Sequence, residues 1–167
     1  MSDILDVDPG KKIDQVLKDH IAPFLKAKNF RRKGRHFWRD HGRVIDTLNL
    51  QKSQWNDSGD ARFCINLGLV WPEVDATFPH KREGPHPSAD GSTVFIRLGG
   101  LITGRDHWWE ASSKTKVAEL GTEIVRALTE YALPWLERGH DPKISCEYLE
   151  RLKLTPRIEA FKRIYQL

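Results

Sequence analysis

Two short stretches of this chain alternate apolar and polar residues with a period of two, and that pattern commits it to a fold built on a sheet: Leu48-Asn49-Leu50-Gln51-Lys52 and Phe63-Cys64-Ile65-Asn66-Leu67-Gly68-Leu69. Successive side chains of a strand point to opposite faces. Leu48, Leu50, Phe63, Ile65, Leu67 and Leu69 therefore face a core, and Asn49, Gln51, Cys64 and Asn66 face away from it. The second face carries carboxamides where a merely solvated face would carry lysine and glutamate. A carboxamide is an uncharged donor and acceptor in one group, which suits recognition of another molecule.

The flanking segments complete an α+β pattern. Ile13, Val16, Leu17, Ile21, Phe24 and Leu25 recur at steps of three and four and predict a helix, with Pro23 expected to kink or split it and Asn29 suited to the left-handed residue beyond its end. Residues 30–39 read as one strand with a bulge or bend at Gly34, Asp40-His41-Gly42 as a tight turn, and residues 43–53 and 61–71 as the next two strands of an antiparallel meander. A fourth strand is expected over 93–102. After a turn at 103–106, Trp108-Trp109 is either extended, where the two rings cannot both point inward, or stands at a helix start, where they splay; Ser112 or Ser113 suits the cap of the helix that follows. The stripe Val117, Leu120, Ile124, Leu128, Tyr131 and Trp135 predicts a long helix, and Asp141-Pro142 and Thr155-Pro156 open two short ones. Strands followed by helices predict an antiparallel sheet of four or more strands with helices on one face.

At 167 residues, 39% hydrophobic and 30% charged, the chain fits a single domain over 1–167, with an N-terminal tail at 1–12 and a long proline-rich loop at 72–92. No apolar run reaches the length of a bilayer span, the acidic N-terminus lacks a signal-peptide pattern, and Cys64 and Cys146 sit in unlike contexts. A cytoplasmic, reduced protein with no membrane contact is expected.

Candidate sites follow from residue type. If the strands pair in suitable register, Asn49, Gln51, Asn66 and Arg97 share one face, where together they could clamp a peptide backbone, a carboxylate or a base edge; a purely structural hydrogen-bond ladder is the competing reading. Trp38 and Trp108 stand beside these groups as aromatic anchors. A binding module for a protein or peptide is the leading expectation. One alternative is a hydrolase or transferase with a groove under the 72–92 loop. Another is nucleic-acid binding through the cationic stretch Arg31, Arg32, Lys33, Arg35, Arg39 and Arg43, in a chain of net charge +4. No catalytic constellation is legible. Cys64 lies mid-strand, which suits a small filler better than a nucleophile. His80, His86 and His107 match no zinc spacing, and Gly99-Gly100 and Gly104 lack the lysine and threonine of a phosphate-cradling loop, so no metal or cofactor is expected.

Asn49-Leu50-Gln51-Lys52-Ser53 together with Phe63-Cys64-Ile65-Asn66-Leu67-Gly68, supported by Pro23-Phe24-Leu25-Lys26 before Asn29-Phe30, Phe37-Trp38-Arg39, Arg97-Leu98-Gly99 and Asp106-His107-Trp108-Trp109, resembles a bacterial family of unknown function, DUF4304. The resemblance covers roughly residues 13–135, with asparagine at position 29 where the family has glycine. It implies a cytoplasmic α+β domain and no activity.

Overall fold

The computed structural model describes residues 7–57, 59–79 and 86–167. The first helix, α1 (residues 9–27), begins at Pro9, so residues 9–12 of the expected tail are helical. Asp8 caps it, its Oδ1 accepting from the Gly10 N–H at 2.7 Å. Pro23 does not split α1. The turn Leu17–Ile21 widens to π geometry and the Ala22 N–H reaches back five residues to Leu17, an arrangement that carries the chain past a residue with no N–H to donate. Asn29 ends the segment at φ +68°, the left-handed geometry its short polar side chain tolerates.

Residues 30–39 are not one strand. Gly34, at φ +61°, makes a tight turn and produces a hairpin of β1 (Arg31–Lys33) and β2 (His36–Asp40). The turn at His41–Val44, with Gly42 at φ +84°, leads into β3 (Ile45–Lys52), and β4 (Asp60–Val70) follows. The short helix α2 (Pro72–Asp75) opens the proline-rich segment. The fourth expected strand is short: β5 (Val94–Arg97) gives way at once to helix α3 (Leu98–Thr103). Trp109 starts a strand, β6 (Trp109–Ser112), rather than a helix.

All pairings are antiparallel. The order is β1-β2-β3-β4-β5, and β6 joins β4 at Asp60–Phe63, beside the stretch that β5 takes at Asn66–Leu69. An α+β fold on a six-stranded antiparallel sheet is the outcome. The edge of β4 at 60–63 needs a partner, which is why Trp109 is drawn into a strand while Trp108 stays just ahead of it.

Helix α4 (residues 117–138) repeats the device of α1. A π turn at Leu128–Ala132 precedes Pro134, and the Leu133 N–H bonds to Leu128. The added residue rotates the apolar stripe, so Tyr131 turns outward while Ala132, Leu133, Trp135 and Leu136 are buried. Helices α5 (Pro142–Arg151), capped by Asp141, and α6 (Thr155–Tyr165) close the chain. The core joins the apolar face of the sheet (Phe37, Leu48, Leu50, Phe63, Ile65, Leu67, Leu69) to the stripes of α1 and α4, each such side chain contributing about 1.5–3 kcal/mol by leaving water. Among the described residues no helix is long and apolar enough to cross a membrane.

Candidate functional site

Register decides the polar face. His36 pairs with Asn49, Asn49 with Asn66, and Asn66 with Arg97, so one row crosses β2, β3, β4 and β5. Directly opposed residues of antiparallel strands share a face. The sheet therefore brings together Asn49, Gln51, Asn66 and Arg97 and adds His36, which sequence reasoning missed because residues 30–39 read as one bulged strand of unknown register. Trp38 stands on the same face in the next row, opposite Thr47, which in turn opposes Gly68.

The carboxamides are not equivalent. Asn66 is fully buried and donates from Nδ2 to Gln51 Oε1 at 2.9 Å, with Cys64 Sγ 3.8 Å from both Gln51 Oε1 and Asn66 Oδ1. This pair is a structural ladder. Asn49 is only 5% exposed, yet among the described residues its Oδ1 has no hydrogen-bond partner, and the buried Nδ1 atoms of His36 and His86 likewise have none there. A buried acceptor without a donor costs about 1–3 kcal/mol.

Both ends of the row are furnished with aromatic groups. At one end Arg97 Nη1 pairs with Asp106 Oδ2 at 2.8 Å, and the guanidinium lies 5.1 Å from the ring centroid of Trp108. Trp108 Nε1 donates to the same carboxylate at 3.2 Å. The bonds from Arg97 and Trp108 hold the Asp106 carboxyl below its usual range. Trp109, the other half of the pair, is buried against Phe63. At the other end His86 stacks on Trp38 with centroids 5.0 Å apart and meets His36 edge-on at 5.6 Å. The segment after His86 is seated on the sheet by a bond between Thr47 Oγ1 and Ser92 Oγ of 2.8 Å, directly over Gly68. A Cβ at Gly68 would lie 2.1 Å from Ser92 Oγ and 2.5 Å from Thr47 Oγ1, so only glycine permits this approach.

Cys64 is no nucleophile. Burial outweighs the attraction of Arg97 and pushes its thiol up to about 11. Alkylation by iodoacetamide at pH 8, followed by mass spectrometry, is expected to leave Cys64 unmodified in the folded protein and to label it in denaturant.

The cationic stretch disperses. Arg35 pairs with Asp14 and Arg39 with Asp46, while Arg43 lies over Trp71 and Tyr165. Arg31 and Arg32 remain together with Lys18 and Lys26 around an open groove of about 630 Å³ floored by Phe30 and Phe37. His80 lies outside the described residues, and His107 rests edge-on against Trp109.

A second polar cluster lies on the apolar side. Asp46 shares the parity of Leu48 and Leu50 and is fully buried. Its Oδ2 accepts from Arg39 Nε at 2.9 Å and Nη2 at 2.8 Å and lies 2.8 Å from His41 Nε2, while its Oδ1 lies 2.7 Å from His140 Nε2. Burial alone would raise the Asp46 carboxyl. The hydrogen bond and charge of His140, with the bonds from His41 and Arg39, outweigh it and hold the carboxyl below its ordinary value.

These features define an α+β domain whose antiparallel sheet is oily toward its two long helices and carries a row of mostly uncharged polar groups on the opposite side. The chain belongs to the family DUF4304, described as a domain of unknown function, whose family model matches residues 21–138. The match runs from the first π turn to the end of α4, leaving α5 and α6 beyond it. No curated protein and no solved structure matches the chain.

Proposed function

We propose that the chain is a binding module that recognises a peptide or an extended protein segment on its polar sheet face. The observation that carries this reading is Asn49, a buried carboxamide whose oxygen lacks a donor among the described residues, beside a His36 Nδ1 that has no partner among them either. The oxygen is closed off from solvent, so a ligand backbone N–H reaches it only when the side chains covering it shift, and the cost of the orphaned acceptor is then relieved. Trp38 and Trp108 flank the row as anchors, and Arg97, fixed by Asp106, is oriented for a carbonyl or carboxylate.

The roles within the row are distinct. Asn66 and Gln51 stiffen the sheet, whereas Asn49 and His36 contact the ligand. A random peptide library displayed on phage and selected on the full chain is expected to yield peptides whose affinity falls at least about tenfold in Asn49→Leu and in His36→Ala. Asn49→Leu is expected to melt no lower than the parent, because it removes an unpaired buried polar group. Selection of no peptide, or of peptides indifferent to both substitutions, defeats the reading.

A hydrolase or transferase is the second reading, and His36 and His86 favour it: two imidazoles in edge contact, each with an Nδ1 that has no partner among the described residues, beside a carboxamide row. Against it stands the Cys64 thiol, which burial keeps protonated. Nucleic-acid binding is weakened by the dispersal of Arg35, Arg39 and Arg43 into ion pairs and ring contacts.

A further inference from the structure

We propose that His41, Asp46 and His140 form a binding site for one divalent first-row metal ion, with zinc the best suited. This inference is independent of the polar face, since the cluster lies on the opposite side of the sheet.

The donor set is the first ground. Two imidazole nitrogens and one carboxylate oxygen lie within 4.8 Å of one another. Three such protein ligands with solvent at the fourth position are the ligand complement of open zinc sites, and nitrogen with oxygen donors suits a borderline divalent ion.

Convergence is the second ground. His41 comes from the turn after β2 and His140 from the residues after α4, ninety-four positions from Asp46. Both rings nevertheless aim Nε2 at the same carboxylate, one at each oxygen, with ring centroids 4.3 Å apart. Ligand atoms held tetrahedrally around zinc at about 2.0–2.1 Å stand about 3.3 Å from each other. The gaps of 2.7 and 2.8 Å, one to each carboxylate oxygen, need to widen by about half an ångström, and donor atoms standing as far as 4.8 Å apart need to close by about 1.5 Å, so both imidazoles turn inward to take the ion. The side chains of His41 and His140 are 34% and 27% exposed, so an ion and its water reach the site from solvent, while Asp46 is fixed from beneath.

Arg39 is the third ground. Its Nε and Nη2 hold Asp46 Oδ2, and its Nη1 donates to the Lys28 carbonyl at 3.1 Å, so the carboxylate is oriented by an outer partner as metal-binding carboxylates are. The guanidinium also adds a positive charge near the ion, which makes the site weaker than one with an uncharged outer partner. Binding requires the Nε2 lone pair of each imidazole. A neutral ring protonated on Nε2 gives that proton up and carries one on Nδ1 instead; a doubly protonated ring releases one proton to solvent.

The competing account is a hydrogen-bonded ion network with no affinity for metal, and glutamine separates the two. His41→Gln and His140→Gln each keep an N–H that can donate to Asp46 but remove the imidazole ligand. The full chain, without a histidine tag and stripped by chelator, is titrated with zinc by calorimetry and with cobalt(II) by absorption. The expected result is one equivalent of zinc and the d–d bands of cobalt held by nitrogen and oxygen without thiolate charge transfer. Each glutamine variant is expected to lose at least about tenfold in zinc affinity. The proposal is overturned if the parent takes up no stoichiometric zinc, if the double glutamine variant binds as tightly as the parent, or if the cobalt spectrum shows thiolate ligation.

Discussion

Replacing Asp46 by alanine is expected to cost about 3–5 kcal/mol of stability, a large part of the total for a domain of this size. The reason is what the substitution leaves behind. Arg39 is 15% exposed, is spanned by Phe30 at 4.6 Å and pairs with Asp46, its one carboxylate partner among the described residues. Without the carboxylate its charge is held out of water uncompensated, and His41 and His140 lose their shared acceptor. Urea unfolding followed by circular dichroism measures the loss. A cost below about 1 kcal/mol would mean that the cluster behaves as an exposed ion pair.

The same carboxylate sets an acid limit. Its folded value is depressed below the ordinary 3.8, so the stability it contributes is fully present above the unfolded value and is lost as pH falls through the folded one. The urea midpoint of the parent is therefore expected to fall below about pH 4, and Asp46→Asn, already weakened at neutral pH, to fall less over that range.

Asp46 also shows how far the sequence could be read. The alternation that assigns Leu48 and Leu50 to the core assigns Asp46 to it as well, and a buried carboxylate requires partners. Arg39 and His41 stand just upstream and were the available signal. His140 was not legible, because nothing local ties the residues after α4 to the start of β3. The alternating strands, the left-handed Asn29 and the turn around Gly42 were readable because each is dictated by side-chain period or backbone sterics within a few residues. Gly34 was misread because a bulge and a hairpin turn both favour glycine there, and only pairing with β3 separates them. Whether Trp108-Trp109 is extended or opens a helix is not legible for a related reason: the partner that makes Trp109 a strand residue lies some forty-six positions earlier, at Phe63. On the polar face the sequence supplied the carboxamides but not their register, so it could not tell Asn66, which is satisfied by Gln51, from Asn49, which is not.

Trp71→Ala is the second substitution expected to cost about 3–5 kcal/mol, and it probes a different boundary. Trp71 follows β4 within the part of the chain that matches the family, yet it is fully buried against residues beyond that part. Its ring meets Phe161 and Tyr165 edge-on at 5.4 and 5.3 Å, and its Nε1 donates to Ser145 Oγ at 3.0 Å. Ser145 in turn donates to the Gly139 carbonyl at 2.6 Å and is itself fully buried, so losing the indole opens a cavity and also strips a buried hydroxyl of its donor. The cost is shared across the junction, which a double-mutant cycle reads directly. If Trp71 anchors α5 and α6 to the sheet, Phe161→Ala and Trp71→Ala are expected to be markedly non-additive in urea unfolding, with a coupling of about 1 kcal/mol or more. Additive losses would mean that the C-terminal helices pack beside the family-matched sheet without being anchored through this ring. Anchoring through Trp71 makes residues 142–165 part of one cooperative unit with the sheet, and the same cooperativity fixes the position of His140 between them.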